Sequence, residues 1–469
     1  MAIKQTITYN SANKYFAGFL NYILKEVKLE GSVTQSKNKI ELLIDDKDEK
    51  KLESFSKVVA AYLPQSIFLG DIDTKTVDEV VYSKPFKSPS YEIALCPRCL
   101  EDLTRPSSDK YLDDTIRCNH YSNDTVFDEP DYTLFSPHYS KCCTVLLCNA
   151  SKVDDLFIMT NDEKKVLFSI EKPTIKVTIK DEVLKEMTGK TYINVKSPYN
   201  VKSSLAALNA EDSEIDYLFF EDTNITKAVV VQKNITLIRD KRISTKLINF
   251  NSDNQINRFL NIANEIECKN EAIGSYLSNT HGISFIVSND VGVQKAVTFN
   301  QFSLEQLLID MKNDERKSIL LENFSKKYPK IIEQLESNNY NLFETLSVVL
   351  ELNEYSFEAL SDKALEFRGN GGLKIDMNFS DDGFDYVSLL GSVMSFKLAA
   401  TEDHYLAYSI FEAYGDMAIS IMNQLEKKFK ISNFIMLGDM FENSILYSRI
   451  LSKFAIQKPH FSKDFALDD

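Results

Sequence analysis

The sequence predicts a multidomain protein of mixed α/β and α+β class, on three observations. The chain has 469 residues, enough for two to four domains with separate cores. Its apolar residues alternate between helical three-and-four spacing and short β-branched runs. Between such stretches lies a poorly periodic segment, 91–150, rich in Asp, Ser, Tyr and Pro, containing Cys96-Pro97-Arg98-Cys99 and Cys118-Asn119-His120-Tyr121.

Residues 1–90 form the first predicted domain. Phe16, Phe19, Leu20, Ile23, Leu24 and Val27 share one helical face. Gly31 breaks that pattern, and Ser32–Thr34 leads to a second short apolar run, Ile40–Ile44. Leu52, Phe55, Val58, Val59 and Tyr62 mark a second amphipathic helix. The order β-α-β-β-α-β is that of a ferredoxin-like sandwich.

The cysteine region, 91–150, carries three quarters of a zinc-ribbon signature. Zn²⁺ takes four N or S ligands in a tetrahedron, and paired CxxC knuckles supply them. Cys96, Cys99 and Cys118 fill three positions; Tyr121 stands at the fourth and His120 beside it. The candidate metal ligands are therefore Cys96, Cys99, Cys118 and His120, with zinc as the candidate ion and inert buried thiols as the other reading. The chain has 7 cysteines. With a polar start and no secretory pattern, a reduced, cytoplasmic setting is expected over a disulfide framework.

Residues 151–254 read as a smaller α/β domain, with strands at Ile175–Ile179, Ala228–Gln232 and Ile235–Ile238 and a helix near Ser203–Asn209. Residues 255–469 read as mainly helical toward the C-terminus: a long helix over His404–Lys427, a strand at Asn433–Leu437 and a helix over Glu442–Phe454. Strand, glycine turn and helix make a common nucleotide-site geometry. Gly369-Asn370-Gly371-Gly372 lacks the lysine of a phosphate loop and reads as a flexible hinge or hairpin turn.

Composition narrows the function classes. A net charge of −15 with no Lys/Arg stripe disfavours nucleic acid as a partner. Only 14 residues are glycine, which leaves few places for the close backbone approach of a phosphate cradle. No apolar run reaches the roughly 18 to 20 residues of a membrane helix.

The order of these regions resembles the HypF carbamoyltransferase family of [NiFe]-hydrogenase maturation, in a divergent, shortened form. The resemblance implies an acylphosphatase-like domain, a degenerate zinc ribbon, a truncated adenylate-forming domain and a sugar-kinase-like (ASKHA) C-terminal domain. In the first, Ala17 stands at the arginine position of the family's anion loop and Gln35 at the position of its asparagine. His138, Cys142, Cys143 and Cys148 stand as remnants of a second ribbon.

In the third domain, Ser169-Ile170-Glu171-Lys172-Pro173 and Ser197-Pro198-Tyr199-Asn200 resemble family motifs. Glu221-Asp222-Thr223-Asn224 puts carboxylates where a nucleotide phosphate would lie, and the domain's first half is missing near 150–165.

In the fourth domain, the segments Gly274–Thr280 and Leu342–Ala359 resemble family segments, and Leu437–Asn443 resembles the family's adenosine-side turn. They implicate Gly274, Asn279, Thr280, Glu358, Gly438 and Asn443 in cofactor binding. Asp439 replaces a family glycine, and Phe411-Glu412 replaces a Phe-His pair. Because the charge-bearing groups are replaced while the core patterns remain, the expectation is a maturation or assembly factor that binds a hydrogenase subunit or another maturation protein. No catalytic residue is assigned, and ATP with Mg²⁺ is disfavoured. The alternative is a nucleotide-dependent carbamoyltransferase with a rebuilt C-terminal site, where Asp290 and Glu412 could supply oxygen ligands to Mg²⁺.

Overall fold

The computed structural model describes residues 2–36, 38–78, 93–121, 133–141, 143–223, 225–268, 271–380, 383–454 and 458–469. They form two compact units. One comprises Met1–Lys246 with Lys463–Leu467 and Asp469; the other comprises Leu247–Ser462 with Asp468.

The first unit begins with β1 (Ala2–Tyr9), α1 (Tyr15–Glu26), β2 (Gly31–Ser36), β3 (Lys39–Ile44), α2 (Glu49–Tyr62) and β4 (Leu69–Val77). The sheet order is β2-β3-β1-β4 and every pairing is antiparallel. That is the ferredoxin-like arrangement. Asp48 starts α2 by accepting hydrogen bonds from the backbone N–H of Lys50 and Lys51.

Helix α1 is buried on more than the face its periodicity marks: Tyr15 through Leu20 are all buried. The second cover is the segment ending at Tyr121, whose ring packs on Phe19 (centroids 5.8 Å apart) and edge-on to Tyr15 (6.5 Å). A Cβ at Gly18 would lie 2.0 Å from the Tyr121 carbonyl oxygen. Gly18→Ala is therefore expected to cost about 3 kcal/mol in denaturant unfolding, because backbone must move to admit the methyl. A cost within error of zero would show that this contact yields freely.

Further along the unit, β5 (Thr144–Leu147), β6 (Phe157–Ile158), β7 (Ile175–Ile179), β8 (Tyr192–Lys196) and β9 (Tyr217–Phe220) make a mixed sheet ordered β6-β7-β8-β5-β9. Only β5 and β8 pair in parallel. The helix Val201–Asp212 opens on a capping box between Asn200 and Ser203. The hairpin β10 (Lys227–Val231) and β11 (Asn234–Arg239) follows.

In the second unit, β12 (Ala272–Ser278), β13 (Gly282–Asn289) and β14 (Gly292–Thr298) form an antiparallel meander. After a small pair, β15 (Phe379–Ser380) and β16 (Gly383–Phe384), the chain returns as β17 (Phe434–Leu437) and β18 (His460–Phe461). The sheet order is β14-β13-β12-β17-β18, with β17 parallel to β12 and to β18. Parallel pairing demands a long crossover, and the helix Asp403–Phe429 belongs to it. The expected strand at Asn433–Leu437 and the expected helix after it, here Ser444–Lys453, are both present.

Two expectations change. Helices Leu304–Asn313, Glu315–Lys327, Pro329–Ser337, Leu342–Val349 and Phe357–Leu365 lie where no helix was expected. Each is short, so periodicity is weak, but Ser303, Asp314, Asn341 and Ser356 cap four of them. The glycine segment 369–372 forms no hairpin. Its Gly372 N–H donates to Glu412 Oε2 and the Leu373 N–H donates to Ser409 Oγ (2.9 Å), both on the long helix.

Candidate metal centre and the C-terminal turn

Cys96 is the N-cap of α3 (Pro97–Thr104), with Pro97 at the first helical position, where its missing N–H costs nothing. The Cys99 N–H points at Cys96 Sγ (3.4 Å), so one helix start fixes two thiols. Cys118 and His120 complete the group, and the four ligand atoms all lie within 4.8 Å of one another. His120 Nδ1 is 2.9 Å from Cys96 Sγ and 3.7 Å from Cys99 Sγ. Its ring stacks on Tyr22, centroids 4.1 Å apart. Tyr121, at the position of the ribbon's fourth cysteine, turns into the α1 core instead, its hydroxyl buried without a hydrogen-bond partner. His120, and not Tyr121, thus joins the three cysteines.

Hydrogen bonds from Cys96 and Cys99 hold the Cys118 thiol down to about 3, while Cys99 is pushed up to about 12 and Cys96 higher still. Burial lowers the His120 imidazole, keeping it neutral and able to donate a lone pair. Three clustered thiols beside a neutral imidazole suit a cation that displaces thiol protons. The donor set is that of a structural Cys₃His zinc site, and the cluster can hold a metal such as zinc. Of the residues expected as remnants of a second ribbon, His138 is exposed, the Cys143 thiol lies 2.7 Å from Ser140 Oγ, and Cys148 is buried. Cys142 lies outside the described residues.

In the first domain, Ala17 is buried in α1. Gln35 donates its amide to the carbonyls of Ser11 (2.8 Å) and Asn13 (2.9 Å), bracing the segment before α1.

Glu171 is 1% exposed and accepts from Tyr15 Oη (2.7 Å), Ser66 Oγ (2.5 Å) and the Ile67 N–H (3.0 Å). Its motif is visible in the sequence, but its partners lie too far along the chain to be read there.

Asp222 is no loose carboxylate facing a phosphate. Its Oδ2 accepts from the fully buried Lys196 ammonium (2.8 Å) and from Thr174 Oγ1 (2.7 Å). Asn224 lies outside the described residues.

The C-terminal candidates divide into three places. Asn279 and Thr280 meet Asp439, which directly follows Gly438. The Asn279 N–H donates to Asp439 Oδ1 and Thr280 Oγ1 donates to Oδ2, each at 2.7 Å. Gly438, at φ +106°, is required there, since a Cβ would lie 2.0 Å from the Leu277 carbonyl oxygen.

Beneath them the buried Asp468 accepts from the Asp439 N–H (2.9 Å) and from Tyr276 Oη (2.5 Å), and it sits 3.0 Å from His281 Nδ1. Neither Asp468 nor His281 carries a sequence signal for this role.

Asn443 caps the helix Ser444–Lys453 and donates to Ser361 Oγ (2.9 Å). Glu358 is exposed on the same helix as Ser361. Gly274 is buried in β12, where a Cβ would lie 2.5 Å from the Phe259 ring. Glu412, offered as a Mg²⁺ ligand, pairs with Arg449 (2.9 Å).

A ferredoxin-like domain, a Cys₃His cluster, a mixed sheet and a second sheet flanked by helices define a multidomain α/β protein with the fold of full-length HypF. The phosphate- and nucleotide-bound form of full-length HypF superposes with a TM-score of 0.57 at 11% identity, over 100% of this chain and 96% of that one. HypF of T. kodakarensis superposes at 0.60 and 12%, over 100% and 97%.

In sequence, the chain is distantly related to Protein HydE of Wolinella succinogenes. The two are 22% identical over 337 residues, which span 63% of this chain and 61% of that protein, less than two thirds of its length. No protein-family model matches the chain.

Among the described residues no helix is long and apolar enough to cross a membrane.

Proposed function

We propose that this protein acts in [NiFe]-hydrogenase maturation as an assembly factor that binds a hydrogenase subunit or another maturation protein, with degenerate catalytic sites. The likeness to HypF and HydE supports the setting. The observation that carries the non-enzymatic part is the Asp439 carboxylate. It already takes the Asn279 N–H and the Thr280 hydroxyl, donors at the turn where the resemblance places the nucleotide. Asp468, bonded to the Asp439 N–H, brings a second carboxylate to the same turn. The bulk and negative charge that Asp439 adds where the family has glycine at its adenosine-side turn oppose nucleotide binding.

The test is capture of the tagged chain from cells making hydrogenase. A hydrogenase large or small subunit, or a maturation protein, is expected among the bound proteins, and recovery of neither counts against the proposal.

A companion measurement addresses the carboxylate. The wild-type chain is expected to bind Mg·ATP no better than about millimolar, and Asp439→Gly to bind it at least about tenfold more tightly. Micromolar binding of Mg·ATP by the wild-type chain would support the rebuilt transferase instead.

A further inference from the structure

The strand β4 stands at one end of the first sheet, in the order β2-β3-β1-β4. It pairs with β1, and among the described residues no strand pairs with its outer edge. Gly70 through Thr76 are all exposed. A strand of 9 residues with a free outer edge offers a row of backbone N–H and C=O groups to a further strand.

Residues directly opposite each other in paired strands share a face of the sheet. Ile72 stands opposite the buried Ile7, and Thr76 stands opposite Ile3. Ile72, Thr74 and Thr76 therefore lie on the core face, and Asp71, Asp73 and Lys75 on the other. Even the core face is incompletely covered here, with Ile72 53% and Ile3 36% exposed.

The sequence of β4 is complementary to itself. Asp73 and Lys75 flank Thr74 and pair with each other within the strand at 2.7 Å. When two copies of β4 run antiparallel about a two-fold axis at Thr74, each Asp73 comes opposite a Lys75 of the other copy. Each Ile72 then meets a Thr76, and Thr74 meets Thr74. Opposite charges and Thr–Thr pairs are favourable cross-strand neighbours. The faces of the two copies match only when the axis passes through a residue. Moving it by one residue sets Asp73 against Asp73 or Lys75 against Lys75, and like charges directly opposite oppose pairing. Charge thus selects the register.

We propose that β4 is a docking edge for a second copy of this chain, through an antiparallel β4–β4 pair centred on Thr74. Such a pair uses the same patch on both copies and closes on itself. One strand edge is a small interface, so the dimer is reversible, with a Kd of about 10 to 100 µM. The proposal is independent of the assembly-factor reading and of the metal cluster.

Sedimentation equilibrium of the full chain, from about 5 to 500 µM, tests it. The wild-type chain is expected to pass from monomer to dimer across that range. Lys75→Asp and Asp73→Lys each set like charges opposite one another in both flanking pairs, so each is expected to weaken the dimer at least about tenfold. Mixed in equal amounts, the two variants restore opposite charges in both pairs, and the mixture is expected to dimerise about as well as the wild type. The two side chains are 60% and 73% exposed, so neither change burdens the fold. The wild-type chain supplies a second readout: hydrogen exchange of the β4 amides that do not bond to β1 should slow as concentration rises. A chain that stays monomeric to about 500 µM, a dimer that both reversals leave intact, or a mixture that stays monomeric would overturn the β4 pairing. The first of these would leave the edge to an extended segment of another protein.

Discussion

Cys118→Ser is expected to remove one equivalent of zinc per chain and to lower unfolding stability by about 3 kcal/mol or more. Zinc held by Cys₃His contributes its binding energy directly to folding, and loss of one thiolate opens the tetrahedron. The effect should reach beyond the knuckle. His120 stacks on Tyr22 of α1, and the neighbouring Tyr121 carbonyl sits over Gly18, so the metal would also anchor the outer cover of that helix. Tyr121→Phe is the informative contrast. Its hydroxyl is buried without a hydrogen-bond partner, so zinc content should stay unchanged and stability should not fall. Metal analysis of protein purified without chelator checks both variants. A wild-type chain free of zinc after growth in zinc-replete medium, or full occupancy in Cys118→Ser, would refute the Cys₃His assignment.

Glu171→Gln is expected to cost about 2 kcal/mol at acidic pH and to flatten part of the pH dependence of stability. The wild-type carboxyl accepts from Tyr15, Ser66 and the Ile67 N–H. Glutamine turns one acceptor into an NH₂ group, which leaves at least one of those buried donors facing a donor.

Burial raises the Glu171 carboxyl above its ordinary range despite those hydrogen bonds. The unfolded chain therefore loses this proton at lower pH than the folded one. The stability contribution is fully present below the unfolded value, near 4.5, and declines as pH rises through the folded value. The variant should lack that decline, so its deficit should narrow as pH rises across the window. Denaturant midpoints taken from about pH 4 upward would show it. Parallel stability curves for the two proteins would mean that the carboxyl titrates at its ordinary value.

The sequence by itself determined those parts whose signal is local. The ferredoxin-like order followed from two apolar helical faces separated by short strands, and the sheet order β2-β3-β1-β4 agrees with it. The long helix, the strand after it and the next helix were legible because a continuous apolar stripe and a short apolar run need no distant partner to be recognised. The members of the Cys₃His cluster were legible as residue types: Cys96, Cys99 and Cys118 by spacing, and His120 by adjacency. The five short helices between 304 and 365 were not, because each spans only two to four turns and the main mark of four of them is a capping residue that also begins turns.

Tertiary structure decided what each charged residue meets. Whether His120 or Tyr121 closes the cluster depends on which of the two the α1 surface accepts, and the tyrosine ring fills that apolar site while the imidazole stacks on Tyr22. Asp439 read as bulk and charge at a nucleotide turn, and folding supplied the donors of Asn279 and Thr280 to receive it. Asp222 read as a repulsive carboxylate until Lys196 was placed against it. A hydrogen bond or ion pair depends on distances of about 3 Å between groups that can be more than a hundred residues apart in the chain, as Tyr15 and Glu171 are. Periodicity and spacing carry no information about such pairs, because the fold alone brings them together.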